Sequence, residues 1–213
     1  QPNRPSMGSW LVYGLGAETN NLPGFVAMSP VAKPRGNVAN WGNSFLPGAS
    51  AGSYVNIREM KSDAILRDLG KPSSLSSEQR KQADLLSQLN KMHLDRRQQD
   101  QQLEAAIASM EMAFRMQMSV PEVFDISKES KATRDLYGDS EFAKGCLISR
   151  RLIENGVRVV QISHSISGYD IAWDTGHENI VNGHAELAKA CDRGIAALLK
   201  DLKCKGLLED TLV

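Results

Sequence analysis

The sequence has no excess charge of either sign, because 25 lysine and arginine residues balance 25 aspartate and glutamate residues. Without a basic field, binding to nucleic acid or to an anionic membrane surface is not expected. The sequence also lacks any apolar run close to the roughly 20 residues of a membrane-spanning helix, so no span is predicted. It shows no signal peptide. Its first residue is Gln1 rather than methionine. These absences remove nucleic-acid binding and membrane-spanning functions from consideration.

Cysteine is scarce, and the three cysteines are Cys146, Cys191 and Cys204. Their number is odd and they contain no C-x-x-C pair, which argues against a disulfide framework or a zinc knuckle. Cys146 and Cys191 fall on the apolar faces of two predicted helices. We therefore expect both to be small buried hydrophobic residues.

Hydrophobic residues make up 41% of the 213 residues, which is enough to bury a core. The last three residues, Thr211–Val213, look like a strand that stops soon after it begins. We therefore expect an internal piece of a longer protein, folded as a single incomplete α/β domain. Its parts are a loop-rich region over 1–75, a helical insertion over 76–138 and an α/β region over 139–213.

Glycine, proline, asparagine and serine are frequent up to residue 58 and predict long loops there. They are interrupted by a short helical turn at Ser9–Leu15 and a buried strand at Phe25–Ser29. A capping box at residues 76–79 opens two apolar stripes at helical spacing, which end before Pro121. These stripes predict a helical hairpin or one long bent helix over 76–118.

The last third of the chain has the clearest pattern. Ser140 is placed to cap a helix that ends at Asn155-Gly156, and Val157–Ser163 follows as a β-branched strand. After a long loop, a second helix ends at Lys205-Gly206, and Thr211–Val213 begins another strand. This order of elements predicts an α/β fold with a mainly parallel sheet.

Three of the four histidines lie in the long loop after that strand and at its end. The stretch AWDTGHENIVNGH contains Asp174, His177 and His184, and it follows the carboxyl end of a strand, where open α/β sheets build their sites. Carboxylate and imidazole together suit zinc, manganese or iron. We predict Asp174 and His177 as metal ligands, and His184 as a ligand or as a hydrogen-bond partner of one.

His164 and Asp170 share this loop and are candidates for supporting hydrogen bonds around the metal ligands. The spacing also allows a plainer interpretation, in which Asp174 caps a turn, His177 is solvated and His184 lies on a helix surface. No G-x-S-x-G elbow, Walker loop or strand-embedded G-x-G-x-x-G is present. A catalytic nucleophile therefore stays unassigned.

Several segments, taken in chain order, resemble one known family from end to end. They are RPSMGSWLVYGLG (4–16), NLPGFVAM (21–28), FLPG (45–48), QRKQADLLSQLN (79–90), ASMEMAFRMQ (108–117), LYG (136–138), CLISRRLIENGVRVVQI (146–162), WD (173–174) and LKDLKCKGLLEDTLV (199–213). The family is catalogued as domain of unknown function 1501. It is abundant in planctomycetes and is placed in the alkaline phosphatase and sulfatase-like superfamily.

The resemblance implies an alkaline-phosphatase-like α/β/α sandwich with divalent metal ions, such as zinc, manganese or calcium, at the carboxyl ends of the strands. It implies hydrolysis of a small-molecule or polysaccharide sulfate or phosphate ester, and a location outside the cytoplasm. Trp173, Asp174 and His184 match the family's pattern, whereas His177 lies one place later than the usual histidine. The family's segments before Gln1 and after Val213 are missing, so the resemblance implies that this piece is inactive alone.

Two other functions stay open. The chain is alternatively a non-catalytic secreted binding or structural protein on the same fold, which the shifted His177 favours. It is also conceivable as a helical adaptor that binds a partner through residues 76–118, but that function leaves the histidine loop unexplained.

Overall fold

A computed structural model describes residues 4–29, 34, 36–57, 122–164, 173 and 180–213. Within these ranges the strands are β1 (Phe25–Ser29), β2 (Ser53–Asn56) and β3 (Val159–Ile162), and they form one parallel sheet in the order β2-β1-β3. The α-helices are α1 (Met7–Leu15), α2 (Lys131–Tyr137), α3 (Glu141–Glu154) and α4 (Ile180–Cys204). Short 3-10 helices lie at Asn37–Asn40, Gly48–Ser50 and Ile126–Lys128. The predicted combination of helices with a parallel sheet is confirmed.

The central strand β1 is buried along its whole length, which explains its unbroken apolar run. Successive side chains of a strand point to opposite faces of the sheet. Phe25 therefore packs in a cluster with Val12 of α1, whereas Val26 packs in another cluster with Leu152 of α3. Helices α1 and α3 consequently cover opposite faces of the sheet.

Helix α3 begins and ends where its sequence predicts. The Ser140 hydroxyl accepts a hydrogen bond from the Ala143 N–H at 3.1 Å and caps the first turn. At the other end Gly156 adopts a positive φ of 80°, and the Val157 N–H donates to the Leu152 carbonyl at 3.0 Å. A residue with a side chain is strained at this φ, so the glycine allows the chain to turn directly into β3.

Helix α4 lies against α3 at a glycine. A Cβ placed on Gly194 would lie 3.0 Å from the Ala143 Cα and 3.3 Å from the Cys146 Sγ. The absence of a side chain at Gly194 therefore allows the two helices to approach closely. Cys146 and Cys191 are both buried, as the sequence predicts.

The structure differs from the sequence-based expectations in several places, and β3 (Val159–Ile162) is shorter than the strand predicted at Val157–Ser163. Strand β2 lies in a region where only loops were expected, because its four residues are too few to show a pattern and it forms by pairing with β1. The prediction of a strand at Thr211–Val213 is wrong, because these residues form no strand and Leu212 is fully exposed. A strand needs a neighbour for its backbone hydrogen bonds, and none of the described residues supplies one there.

The helical insertion predicted over 76–118 lies outside the described residues. Helix α2 and the 3-10 helix at Ile126–Lys128 follow it in the chain. Among the helices that the structure describes, none is both long and apolar enough to cross a bilayer.

Candidate functional site

The carboxyl ends of the three strands meet at one edge of the sheet. Ser29, the last residue of β1, is in register with Asn56, the last residue of β2. On the other side of β1, the Ser163 N–H donates to the Met28 carbonyl at 2.8 Å and continues the pairing with β3. Because the strands are parallel, the loops that follow them leave from the same edge, where α/β sheets build binding sites.

His164 is the first candidate residue beyond this edge, and it is half-buried. Its ring lies edge-on to Phe142 of α3, with 4.9 Å between ring centroids and an interplanar angle of 85°. Burial lowers the pKa of His164 below its ordinary value of 6.5, so the imidazole is neutral at pH 7. Its Nδ1 atom is buried and has no hydrogen-bond partner in the part of the chain that the structure describes.

Trp173 lies between two of the predicted histidines. The centroid of its indole lies 5.7 Å from the centroid of the His164 ring, at an interplanar angle of 48°. It is 6.0 Å from the His184 ring, at an angle of 23° that amounts to stacking. The side chain of Trp173 thus connects His164, the second residue after β3, with the first turns of α4.

The main chain of Trp173 also holds His184. The His184 Nε2 atom lies 2.7 Å from the Trp173 carbonyl oxygen. A carbonyl oxygen only accepts hydrogen bonds, so Nε2 carries the hydrogen and donates it. In the neutral ring Nδ1 then has the lone pair. A metal-ligating histidine has this arrangement, in which one ring nitrogen donates to a carbonyl or carboxylate and the other faces the ion.

The structure therefore brings together two of the predicted site residues, His164 and His184. The other three predicted residues, Asp170, Asp174 and His177, lie outside the described residues. Among the residues that are described, no group of three histidine, cysteine, aspartate or glutamate side chains is close enough to hold a metal ion. The tautomer of His184 is compatible with metal ligation through Nδ1.

Sequence reasoning missed the part that two aromatic residues have in this arrangement. Trp173 entered only as a neighbour of Asp174 that matches a family motif, yet it contacts both histidines. Phe142 was not singled out from the sequence, yet it packs against His164. The place of Trp173 directly before a predicted ligand is a signal that the sequence does contain, whereas nothing distinguishes Phe142 from other core residues.

Comparison with known proteins bears on the family of this chain. The family model described as a protein of unknown function, DUF1501, matches residues 1–213, which is the whole chain. No curated protein and no solved structure gives a significant match. The match over the whole length agrees with the resemblance that the sequence segments carry, and the chain belongs to the DUF1501 family.

Proposed function

We propose that this protein is a metal-dependent hydrolase of sulfate or phosphate esters, and that Asp174, His177 and His184 bind its divalent ion. One observation carries the proposal: the His184 Nε2 atom donates to the Trp173 carbonyl across 2.7 Å. This bond leaves the Nδ1 lone pair of His184 for a ligand, and the peptide group that accepts it leads directly into Asp174.

The location and the chemistry of these residues support the proposal. His164 lies just beyond the carboxyl edge of a parallel sheet, the usual place for a binding site in an α/β fold, and Trp173 connects it with His184. A carboxylate with two imidazoles is a donor set for zinc or manganese, and carboxylate also suits calcium. His164 and Asp170 precede these residues in the sequence and would support the ligands by hydrogen bonds.

A bound divalent ion would polarise the sulfate or phosphate ester and stabilise the negative charge that develops during its hydrolysis. Asp174 would bind the ion with its carboxylate and reduce its net charge. His184 would orient its Nδ1 toward the ion because Nε2 is held by the Trp173 carbonyl. His164, which burial keeps neutral, would be shielded from water by the rings of Phe142 and Trp173.

The proposal is tested on protein expressed from the complete coding sequence and purified without chelators. Metal content is measured by plasma mass spectrometry for the wild type, Asp174→Ala and the control Asp192→Ala. Asp192 is exposed on α4, so its replacement removes a carboxylate without touching the site. We expect bound divalent metal in the wild type and the control and its loss in Asp174→Ala. Hydrolysis of p-nitrophenyl sulfate and p-nitrophenyl phosphate is measured on the same samples.

The outcomes separate the two halves of the proposal. A wild-type protein without divalent metal would show that the metal site is absent, and a non-catalytic binding protein on the same fold would become the better interpretation. Metal that depends on Asp174, combined with no turnover of either ester, would keep the metal site and reject the esterase activity.

A further inference from the structure

We propose that Trp173 is the positioning residue of this site, and that its indole and its carbonyl together hold His184 in the Nε2–H tautomer. The inference rests on the proposed function for the ion that His184 would bind. The arrangement itself involves only Trp173, His164, His184 and Phe142, all of which the structure describes.

The side chain of Trp173 belongs to a continuous row of rings. Phe142 of α3 contacts His164 at 4.9 Å, His164 contacts Trp173 at 5.7 Å, and Trp173 contacts His184 of α4 at 6.0 Å. Ring pairs at these distances attract one another in addition to burying apolar surface. The row therefore fixes the indole between an element that precedes the loop and an element that follows it.

The main chain of Trp173 acts on the same histidine. Its carbonyl accepts from His184 Nε2, and a neutral imidazole can exchange its hydrogen between the two nitrogens unless a hydrogen bond favours one of them. The carbonyl keeps its position because the indole is held by the rings on either side. Since this peptide group also joins Trp173 to Asp174, one residue governs the orientation of His184 and the start of the ligand segment.

Exposure argues against a role in the core alone. Trp173 is 46% exposed, so it is not a fully buried core residue. Trp10 on α1 has almost the same exposure, 47%, and also contacts two aromatic rings, those of Tyr13 and Phe45. Trp10 lies on the helix that covers the opposite face of the sheet from α3. It is therefore a matched control for the loss of a half-exposed tryptophan.

The experiment uses three variants of the protein from the complete coding sequence: Trp173→Ala, Trp173→Phe and Trp10→Ala. Zinc and manganese ions are titrated separately by calorimetry into protein freed of metal. We expect Trp173→Ala to weaken binding of the preferred ion about 10–100-fold, the range for residues that orient metal ligands. Trp173→Phe keeps an aromatic ring between the two imidazoles and restores most of the affinity, and Trp10→Ala leaves it unchanged.

A second measurement needs no metal. Nitrogen-15 spectra of the metal-free protein report which ring nitrogen of His184 carries the hydrogen, and the His184 signals are assigned by their loss in His184→Asn. We expect a single Nε2–H form in the wild type, in Trp173→Phe and in Trp10→Ala, and a mixture of tautomers in Trp173→Ala. A merely structural contribution of Trp173 would lower stability without changing this spectrum.

The results distinguish failure of this inference from failure of the proposed function. The inference is overturned if Trp173→Ala keeps the single Nε2–H form, or if it binds the preferred ion as tightly as the wild type. If the wild type binds neither ion, the proposed function is wrong, and the tautomer of His184 in Trp173→Ala still decides the role of Trp173.

Discussion

The guanidinium of Arg150 on α3 donates from Nε to the Oδ2 atom of Asp201 on α4 across 3.0 Å, with a side chain that is only 3% exposed. Two more carboxylates surround the same group: Glu154 lies 2.5 Å from Nη1 and Glu129 lies 2.9 Å from Nη2. The Tyr137 hydroxyl of α2 donates to the same Asp201 oxygen at 3.1 Å. One buried cation thus ties three helices together on the face of the sheet that α3 covers.

Replacing the arginine should therefore be costly. We expect Arg150→Ala to lower the free energy of unfolding by about 3–5 kcal/mol, because it removes a buried cation and leaves the largely buried carboxylates of Asp201 and Glu129 with less counter-charge. The control Lys131→Ala breaks the exposed pair between Lys131 and Asp135, 2.7 Å long, and should cost no more than about 0.5 kcal/mol. Urea unfolding measures the free energy of unfolding of both variants. A loss below about 1 kcal/mol in Arg150→Ala would show that the cluster does not contribute as its burial suggests.

The same cluster predicts a loss of stability in acid. Burial opposes the charge of Glu129, but hydrogen bonds from Arg150 and Arg151 outweigh it and lower the pKa below the ordinary 4.5. Burial likewise opposes the charge of Glu154, and hydrogen bonds from Lys205 and Arg150 lower its pKa. A carboxylate with a lowered pKa in the folded state stabilises the fold above its unfolded value and loses this contribution as the pH falls through the folded value.

We therefore expect the free energy of unfolding to decrease as the pH is lowered below about 4.5. Glu129→Gln should remove part of this dependence, because its side chain no longer binds a proton in either state. Glu186→Gln, at an exposed position of α4, should keep it. Urea unfolding between pH 3 and pH 7, in the range where these groups titrate, measures the slopes. Equal slopes in Glu129→Gln and the wild type would assign the acid sensitivity to other groups.

Replacing each of two glycines of α1 with alanine should change the stability of the protein in opposite directions. A Cβ on Gly8 would lie 2.6 Å from the ring of Phe25, which is fully buried. Gly8→Ala should therefore destabilise the protein by about 1–3 kcal/mol, as overpacking does. Gly14 is exposed, and a Cβ added there would have no atom of the described residues within 4 Å.

Gly14→Ala should consequently stabilise the protein by about 0.5–1 kcal/mol, because alanine loses less conformational freedom in a helix. Thermal and urea unfolding of the two variants, side by side, test the close contact between α1 and β1. Similar effects of both substitutions would contradict it.

The cysteines should differ widely in reactivity. Burial, together with the proximity of Cys191, raises the pKa of the Cys146 thiol to about 12, so almost no thiolate forms at pH 8. Burial also raises the pKa of Cys191, whereas Cys204 is exposed. An aromatic disulfide reagent should therefore modify one thiol quickly in the native protein and all three after denaturation.

Cys204→Ser should abolish the fast phase, and this variant is the control for its assignment. Rapid modification of a second thiol in native Cys204→Ser would show that helices α3 and α4 open readily.

The elements that the sequence predicts well are those that local chemistry determines. Phe25–Ser29 has the bounds that its apolar run predicts, because this strand is buried on both faces and admits no charged residue. Helix α3 begins after the serine and ends before the glycine that the capping rules require. Strand β2 escaped prediction because its four residues become a strand only by pairing with β1, more than twenty residues earlier in the chain.

The candidate site likewise has features that local sequence predicts and features that depend on tertiary packing. The concentration of histidines after a strand indicated where a site would lie, since the carboxyl edge of a parallel sheet is defined by strand direction alone. The tautomer of His184 was not predictable, because it depends on a carbonyl eleven residues away in the chain. The neutrality of His164 follows from its burial beside Phe142, which depends on how α3 packs on the sheet.

By itself the sequence determined the class of fold, the bounds of β1 and α3, the family, and the loop in which metal-binding residue types are gathered. Capping, turn formation and burial of an apolar run act over a few residues, and a pattern of a few residues is enough to reveal them. Only the tertiary structure decided that Trp173 stands between His164 and His184, and that Arg150 holds three carboxylates of different elements. Those relationships are contacts between distant parts of the chain, and they exist only once the sheet and helices have packed.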